Sequence, residues 1–350
     1  MFIKNSLYRS DLEQAMRAVP SFEQFRGKSF LITGASGLIA SFLIDLLMYV
    51  NEQYNMGIQV YALGRNIDRL CRRFESHSDK TGLCYIIQDI RESIRLDCKV
   101  DYIVHAAGNG YPAAFQENPV ETMTAVLLGT NHIMEYVRDS KSGKVLYISS
   151  GEVYGQIQEQ LPIRETESGY VDCTSVRSCY PNAKRAAESL VSSYGAQYDI
   201  SAVIVRPGHT YGPNTTSNDN RANVQFMNAA VHGKDVVLHS SGRQIRSYTY
   251  VADNVSALLT ILLHGDSGVA YNVANRDARG TIADFASKTA DCAGVHCIFE
   301  EAEERSALQK TPITYAVLDS TRLECLGWKG SFSMQRGIDH TYRILKEIMK

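Results

Sequence analysis

At 350 residues, with 44% hydrophobic and 21% charged residues and a formal charge of -2, the chain has a globular composition and no basic excess to hold a nucleic acid polymer. No run of about 18 apolar residues is present to span a bilayer, and Lys4, Arg9, Asp11 and Glu13 interrupt the N-terminus where a signal peptide carries its apolar core. No membrane partner is expected, and the cytoplasm is the expected compartment.

Residues 1–26 read as a helical extension, either packed on the fold or open to a partner. From Ser29 onward, short β-rich runs alternate with longer amphipathic stretches, the pattern of a parallel sheet with right-handed crossovers. Strand signals fall at 30–33, 58–62, 84–88, 100–105, 144–149 and 200–206, with helix signals at 41–49, at 119–138 and around Tyr180. Six strands of this kind predict an α/β, doubly wound Rossmann sheet over 27–206, with segments around 248–275 returning to it. The alternation breaks at the turn-rich stretch 208–220, so 207–247 and 276–350 are expected to form a smaller C-terminal substrate-binding lobe. The cysteines show no C-x-x-C spacing and read as free thiols, with Cys173 and Cys179 expected to be small buried residues. No histidine spacing suggests a metal site.

Within that frame, Gly34-x-x-Gly37-x-x-Ala40 follows an apolar strand and opens an apolar helix. Such a turn lets a pyrophosphate approach backbone N–H groups, so Gly34, Ser36, Gly37, Leu38 and Ile39 are dinucleotide-binding candidates. At the end of the second strand an acid would select NAD, but the chain has Arg65 and Asn66, which tilts the cofactor toward NADP with NAD still open. Asp89 and Ile90, then Ala106, Ala107 and Gly108, and Pro207 after the sixth strand, end strands where ligands of open sheets bind.

Tyr180 and Lys184 lie four residues apart on one helix face, placing an ammonium beside a phenol. A phenol titrates near 10 when unperturbed, and an adjacent cation favours the phenolate, a base able to take a hydroxyl proton. Ser150, at the end of the preceding strand, can hydrogen-bond the same oxygen. A cofactor-binding sensor or scaffold is the non-catalytic alternative, and it has no use for this pair.

These motifs, with His105-Ala-Ala, Leu128-Gly-Thr-Asn, Ser150-Gly-Glu-Val-Tyr-Gly, Thr210-Tyr-Gly-Pro213 and Arg246-Ser-Tyr-Thr-Tyr-Val-Ala-Asp253, resemble the extended short-chain dehydrogenase/reductase family that modifies nucleotide sugars. Residues 177–188 and 244–253 are most similar to UDP-glucuronate decarboxylases. The resemblance implies a nucleotide-sugar substrate, tightly bound NAD or NADP, transient C4 oxidation and a homodimer through the helices near Pro119 and Tyr180. It implies a decarboxylase or 4-epimerase first, with a 4-keto reductase or 4,6-dehydratase as alternatives. It also implies an active-site role for Glu152 and a diphosphate grip by Arg246. Arg221, beside the polar loop, is a second diphosphate candidate or a solvated surface charge, His209 in its turn reads as a structural hydrogen-bonding residue before a proton-transfer group, and His209 and Tyr211 are candidates for substrate contact. Gly151 stands where dehydratases carry an acidic aspartate, which argues against dehydration. Val126 and His209 replace family asparagines, and the stretch 311–319 departs from the usual arginine-rich pattern.

Overall fold

β1 (Ser29–Thr33) is buried on both faces and sets the layers: Phe30 and Ile32 join the apolar core on one face, while Leu31 joins the core on the other. The computed structural model describes residues 2–77, 81–216, 218–300 and 313–349. In chain order the strands continue as β2 (Gln59–Gly64), β3 (Leu83–Ile87), β4 (Tyr102–His105), β5 (Lys144–Ile148), β6 (Ala202–Pro207), β7 (His209–Tyr211), β8 (Val236–Leu238) and β9 (Ile245–Tyr250). They end with β10 (Ala270–Val273), β11 (Arg279–Thr281), β12 (Cys297–Phe299) and β13 (Tyr315–Ala316). The helices are α1 (Ser6–Arg17), α2 (Leu38–Tyr54), α3 (Ile67–Arg73), α4 (Pro112–Glu117), α5 (Pro119–Ser140), α6 (Cys179–Tyr198) and α7 (Ala222–Val231). After them come α8 (Val251–His264), α9 (Ile282–Ala293), α10 (Thr321–Glu324) and α11 (Met334–Ile348).

The main sheet is seven-stranded in the order β10-β6-β5-β4-β1-β2-β3, with every pairing parallel. It is the doubly wound sheet expected, with one strand more than the six strand signals: β10, a four-residue run reached only after the excursion through β7–β9, adds to the edge beside β6. Strand order reverses between β1 and β4, which opens a crevice above their carboxyl ends. α5 and α6 pack together over one face, and α2 and α8 over the other.

α1 lies across α2 and α8, so the N-terminal extension is part of the packing. Its Tyr8 and Leu12 are fully buried, and the Tyr8 ring meets Phe42 of α2 edge-on at 5.3 Å. Beyond β6, strand β9 collects β7, β11 and β13 into a second, smaller sheet that overhangs the crevice. Cys179 is buried as expected, whereas Cys173 is exposed. Among the described residues no helix is long and apolar enough to cross a membrane.

Candidate active site

Gly34 carries the chain out of β1 with φ +65°, a left-handed conformation that glycine adopts without strain. A Cβ there would lie 2.9 Å from both the Ala106 carbonyl oxygen and the Ala107 Cα, so the β1 and β4 loops touch backbone to backbone. The Thr33 hydroxyl locks this contact by accepting the Ala106 and Ala107 amides, each at 3.1 Å, and by pairing with His105 Nδ1 at 2.8 Å. Burial, with the Lys184 charge, pushes His105 down to about 3, so its imidazole stays neutral. Gly37 caps α2 without a side chain, leaving the first-turn amides of that helix toward the crevice. Val126, in place of the family asparagine, is buried apolar core beneath Gly108.

The crevice is a cleft of about 490 Å³, and its lining includes the glycine turn, Arg65, Asn66, Asp89, Ile90 and the Ala106–Gly108 run, with Pro207 at the end of β6, the strand beside β5. Close backbone approach, uncapped helix amides and a flat small-residue loop fit a dinucleotide. Where β2 ends, Asn66 caps α3 by accepting the Arg69 amide at 2.8 Å. Arg65 is mostly exposed, its Nη1 3.9 Å from the Asp89 carboxylate, and Arg69 also lines the cleft. Asp89 is held in a two-point ion pair by Arg91, at 3.1 and 2.9 Å, which keeps its carboxyl below the usual range.

At the other end of the cleft stand Ser150, Glu152, Tyr180 and Lys184. Ser150 begins the short 3-10 turn Gly151–Tyr154, its hydroxyl accepting the Glu152 amide at 3.1 Å. Burial, then the Glu152 carboxylate, push the Tyr180 phenol up to about 12, against the lowering pull of a Ser150 hydrogen bond and the Arg221 and Arg177 charges. The net direction is upward, so the neighbouring Lys184 does not bring the phenol below its ordinary value. The Lys184 ammonium sits 6.0 Å from the Tyr180 ring centroid and donates to the Ile148 carbonyl at 2.6 Å, while burial pushes it down to about 8. At the phenol, burial outweighs the Arg221 and Arg177 charges.

The second sheet also lines the cleft. Arg246 is 1% exposed, yet it lines the cleft and is held by backbone carbonyls, at 3.0 Å to Ile245 and 2.5 Å to Ile313. Burial lowers its pKa, and the described structure gives it no ion pair, which suits a cation facing a ligand anion. Arg221 also lines the cleft, but Asp219 already holds it through Nη2 at 2.6 Å and Nε at 3.0 Å, so its charge is largely offset. His209 lies between these arginines in charge terms: burial, then Arg246 and Arg221, push it down to about 3, leaving a neutral donor and acceptor. Tyr211 is the sequence candidate not found in the cleft. Its ring sits in an aromatic cluster with Tyr248, Tyr250 and Phe285, and its hydroxyl donates to the Met334 carbonyl at 3.1 Å.

Three side chains important to this geometry were not singled out from the sequence. Ser149 offers the cleft a buried hydroxyl with no protein partner. Arg177 pairs with Glu152 through two 2.9 Å contacts, and Phe115 of α4 stacks on Tyr180. Arg177 stands three residues before Tyr180, the one signal that could have pointed to it; Phe115 is distant in sequence and gave none.

A switch-point crevice with a glycine turn at one end and serine, tyrosine and lysine at the other defines a dinucleotide-dependent enzyme. Residues 30–274 match the NAD dependent epimerase/dehydratase family, and the chain belongs to that family. It is 28% identical over 344 residues to UDP-glucuronic acid decarboxylase 5 of Arabidopsis thaliana, covering 94% of each chain. With UDP-glucuronic acid decarboxylase 6 of the same plant it shares 32% identity over 252 residues, 70% of this chain and 68% of the relative. The fold matches the solved UDP-glucuronic acid 4-epimerase of Bacillus cereus, in complex with UDP-glucuronic acid and NAD, at a TM-score of 0.76 and 20% identity, covering 91% of this chain and 99% of that one.

Proposed function

We propose that this enzyme modifies a nucleotide sugar through transient oxidation at C4, as a UDP-glucuronate decarboxylase or 4-epimerase. The observation that carries this is the buried Tyr180 phenol, which lines the same cleft as the glycine turn, Ser150, Lys184 and Arg246. The two Arabidopsis thaliana relatives, named as decarboxylases of UDP-glucuronic acid, support it.

A dinucleotide held along the glycine turn and the Ala106–Gly108 run would supply the redox chemistry, hydride uptake and return at the sugar carbon. Tyr180 accepts the C4 hydroxyl proton and gives it back when the alcohol is restored. Ser150 hydrogen-bonds the same oxygen, and the Lys184 ammonium stabilises the anion on the phenol as it forms. Once C4 is a ketone, a C6 carboxylate on the substrate is a β-keto acid: the C5–C6 bond breaks, carbon dioxide leaves, and C5 takes a proton. Arg246 holds the diphosphate, and His209 offers a neutral hydrogen-bond pair beside it. Gly151 supplies no acid to expel water, which sets dehydration behind the other outcomes.

The purified protein, incubated with UDP-glucuronate, UDP-glucose, dTDP-glucose, GDP-mannose and a CDP-sugar, is expected to act on UDP-glucuronate. Loss of carbon dioxide by mass denotes decarboxylation; unchanged mass with altered retention denotes epimerisation. Loss of water or gain of two hydrogens would replace the proposal with a dehydratase or a reductase.

Arg65 and Arg69 at an adenosine end without a β2 carboxylate favour NADP over NAD, and a 4-keto reductase using NADPH is the second reading they support. Isothermal titration is expected to show tighter NADP binding, and NAD tighter by roughly tenfold, about 1.4 kcal/mol, would reject this. The homodimer is proposed through α5 and α6, which pack together and leave Val120 and Leu128 of α5 exposed. Light scattering that finds only monomer would dismiss it.

A further inference from the structure

The Phe115 and Tyr180 rings lie face to face, with centroids 4.5 Å apart and planes 15° from parallel. Over Phe115, 4.8 Å from its centroid, sits the guanidinium of Arg177. That same guanidinium donates to both Glu152 oxygens at 2.9 Å, while its Nε is buried with no acceptor. One arginine thus touches both the acid beside the phenol and the ring on which the phenol rests.

We propose that Arg177 is a positioning residue for Tyr180: it clamps Glu152 in a two-point ion pair, steadies the stacked Phe115 ring, and cancels the negative charge that Glu152 presents to the phenol. The inference rests on Tyr180 being the base of the proposed function.

The groups around the phenol make the balance explicit. Glu152, from the turn after β5, opposes the phenolate; Arg177, from the turn before α6, and Arg221, from the start of α7, favour it. Lys184 lies on the same helix, and Tyr147 of β5 is a buried phenol that interacts with Tyr180. Cys179 is adjacent in the chain and lies against the Phe115 carbonyl. Arg177 keeps its charge here, since the Glu152 carboxylate outweighs the cost of burial. Without it, Glu152 becomes an unpaired carboxylate facing the phenol, and a like charge at short range disfavours the phenolate.

The test is an ultraviolet difference titration of tyrosinate with saturating NAD, on Arg177→Gln, Arg177→Lys, Glu152→Gln and the Arg177→Gln/Glu152→Gln double variant. Each is measured with and without Tyr180→Phe, so that subtraction isolates this phenol among the 20 tyrosines. Arg177→Gln is expected to leave about tenfold less Tyr180 phenolate at a given pH than wild type, and Glu152→Gln about tenfold more. The double variant should return close to wild type, and Arg177→Lys should fall between wild type and Arg177→Gln. Coincident titrations of Arg177→Gln and wild type, or a double variant that behaves as Arg177→Gln does, would overturn the proposal. If Arg177→Gln does not fold, the Arg177→Lys and Glu152→Gln titrations decide it by the same ordering. Because no sugar is present, failure of the turnover panel and failure of this coupling are separate results.

Discussion

Tyr180→Phe is expected to lower kcat by about two to four orders of magnitude while leaving dinucleotide affinity unchanged. The substitution removes one oxygen and keeps the ring that stacks on Phe115, so the cleft wall retains its shape. What disappears is the group able to carry the hydroxyl proton. The pH dependence carries a second signature. With the phenol pushed up to about 12 by burial and by Glu152, only a small fraction is ionised at neutral pH, and the wild-type rate should climb as pH rises. Lys184, pushed down to about 8, gives up its charge in the same range, so the climb should flatten. The phenylalanine variant should lack the climb. Steady-state rates on the substrate that wild type accepts, measured across pH, check both points, and a variant with full turnover would remove Tyr180 as the base.

The parts of this site written within a single turn of chain were legible from sequence. The glycine spacing between Gly34 and Gly37 and the Tyr180/Lys184 interval are local, and the backbone periodicity of strand and helix converts each directly into a shared loop or face. Electrostatic outcome was less accessible. The interval puts Lys184 and Tyr180 on one face, but the ammonium turns to the Ile148 carbonyl of β5 and both groups are desolvated, so the phenol rises where proximity alone suggested it would fall. Tyr211 fails for a related reason. The motif around it is shared with the family, yet its side chain lies two residues beyond His209 along β7, a rise of about 6.6 Å, and finds an aromatic cluster instead of the cleft. Phe115 and Arg177 depend on α4 and the turn before α6 meeting at Tyr180, a contact between segments far apart in the chain. The seventh strand was similarly faint, a short run separated from the rest of its sheet by the second sheet.

The acids of α1 and α2 show the same gap between composition and structure, and they carry the largest expected effect on stability. Asp11, one of the charges scattered along the N-terminal stretch, is fully buried, accepting the Tyr250 hydroxyl at 2.6 Å and pairing with His340 Nδ1 at 2.7 Å. Asp45, 1% exposed on α2, accepts Tyr8 of α1 at 2.7 Å, His77 Nε2 at 3.0 Å and two contacts from Arg73 of α3 at 2.5 and 3.3 Å. One buried carboxylate therefore ties α1, α2 and α3 together. Burial pushes the Asp45 carboxyl up, but the Arg73 charge and the His77 and Arg73 hydrogen bonds outweigh it and leave it below its usual value. Asp45→Ala strands the Arg73 guanidinium in a nearly water-free site and should destabilise the fold by about 3–5 kcal/mol. The companion Asp45→Leu/Arg73→Met variant, which removes both charges together, should recover most of that loss. Because the folded carboxyl is depressed, its contribution is present above the unfolded carboxylate range, near 4, and is lost as pH falls through the folded value. The gap in unfolding free energy between wild type and Asp45→Ala should therefore be widest near neutrality and narrow in acid. Denaturant unfolding at several pH values checks this, and a gap under about 1 kcal/mol at neutral pH would show that the carboxylate does not hold these helices together.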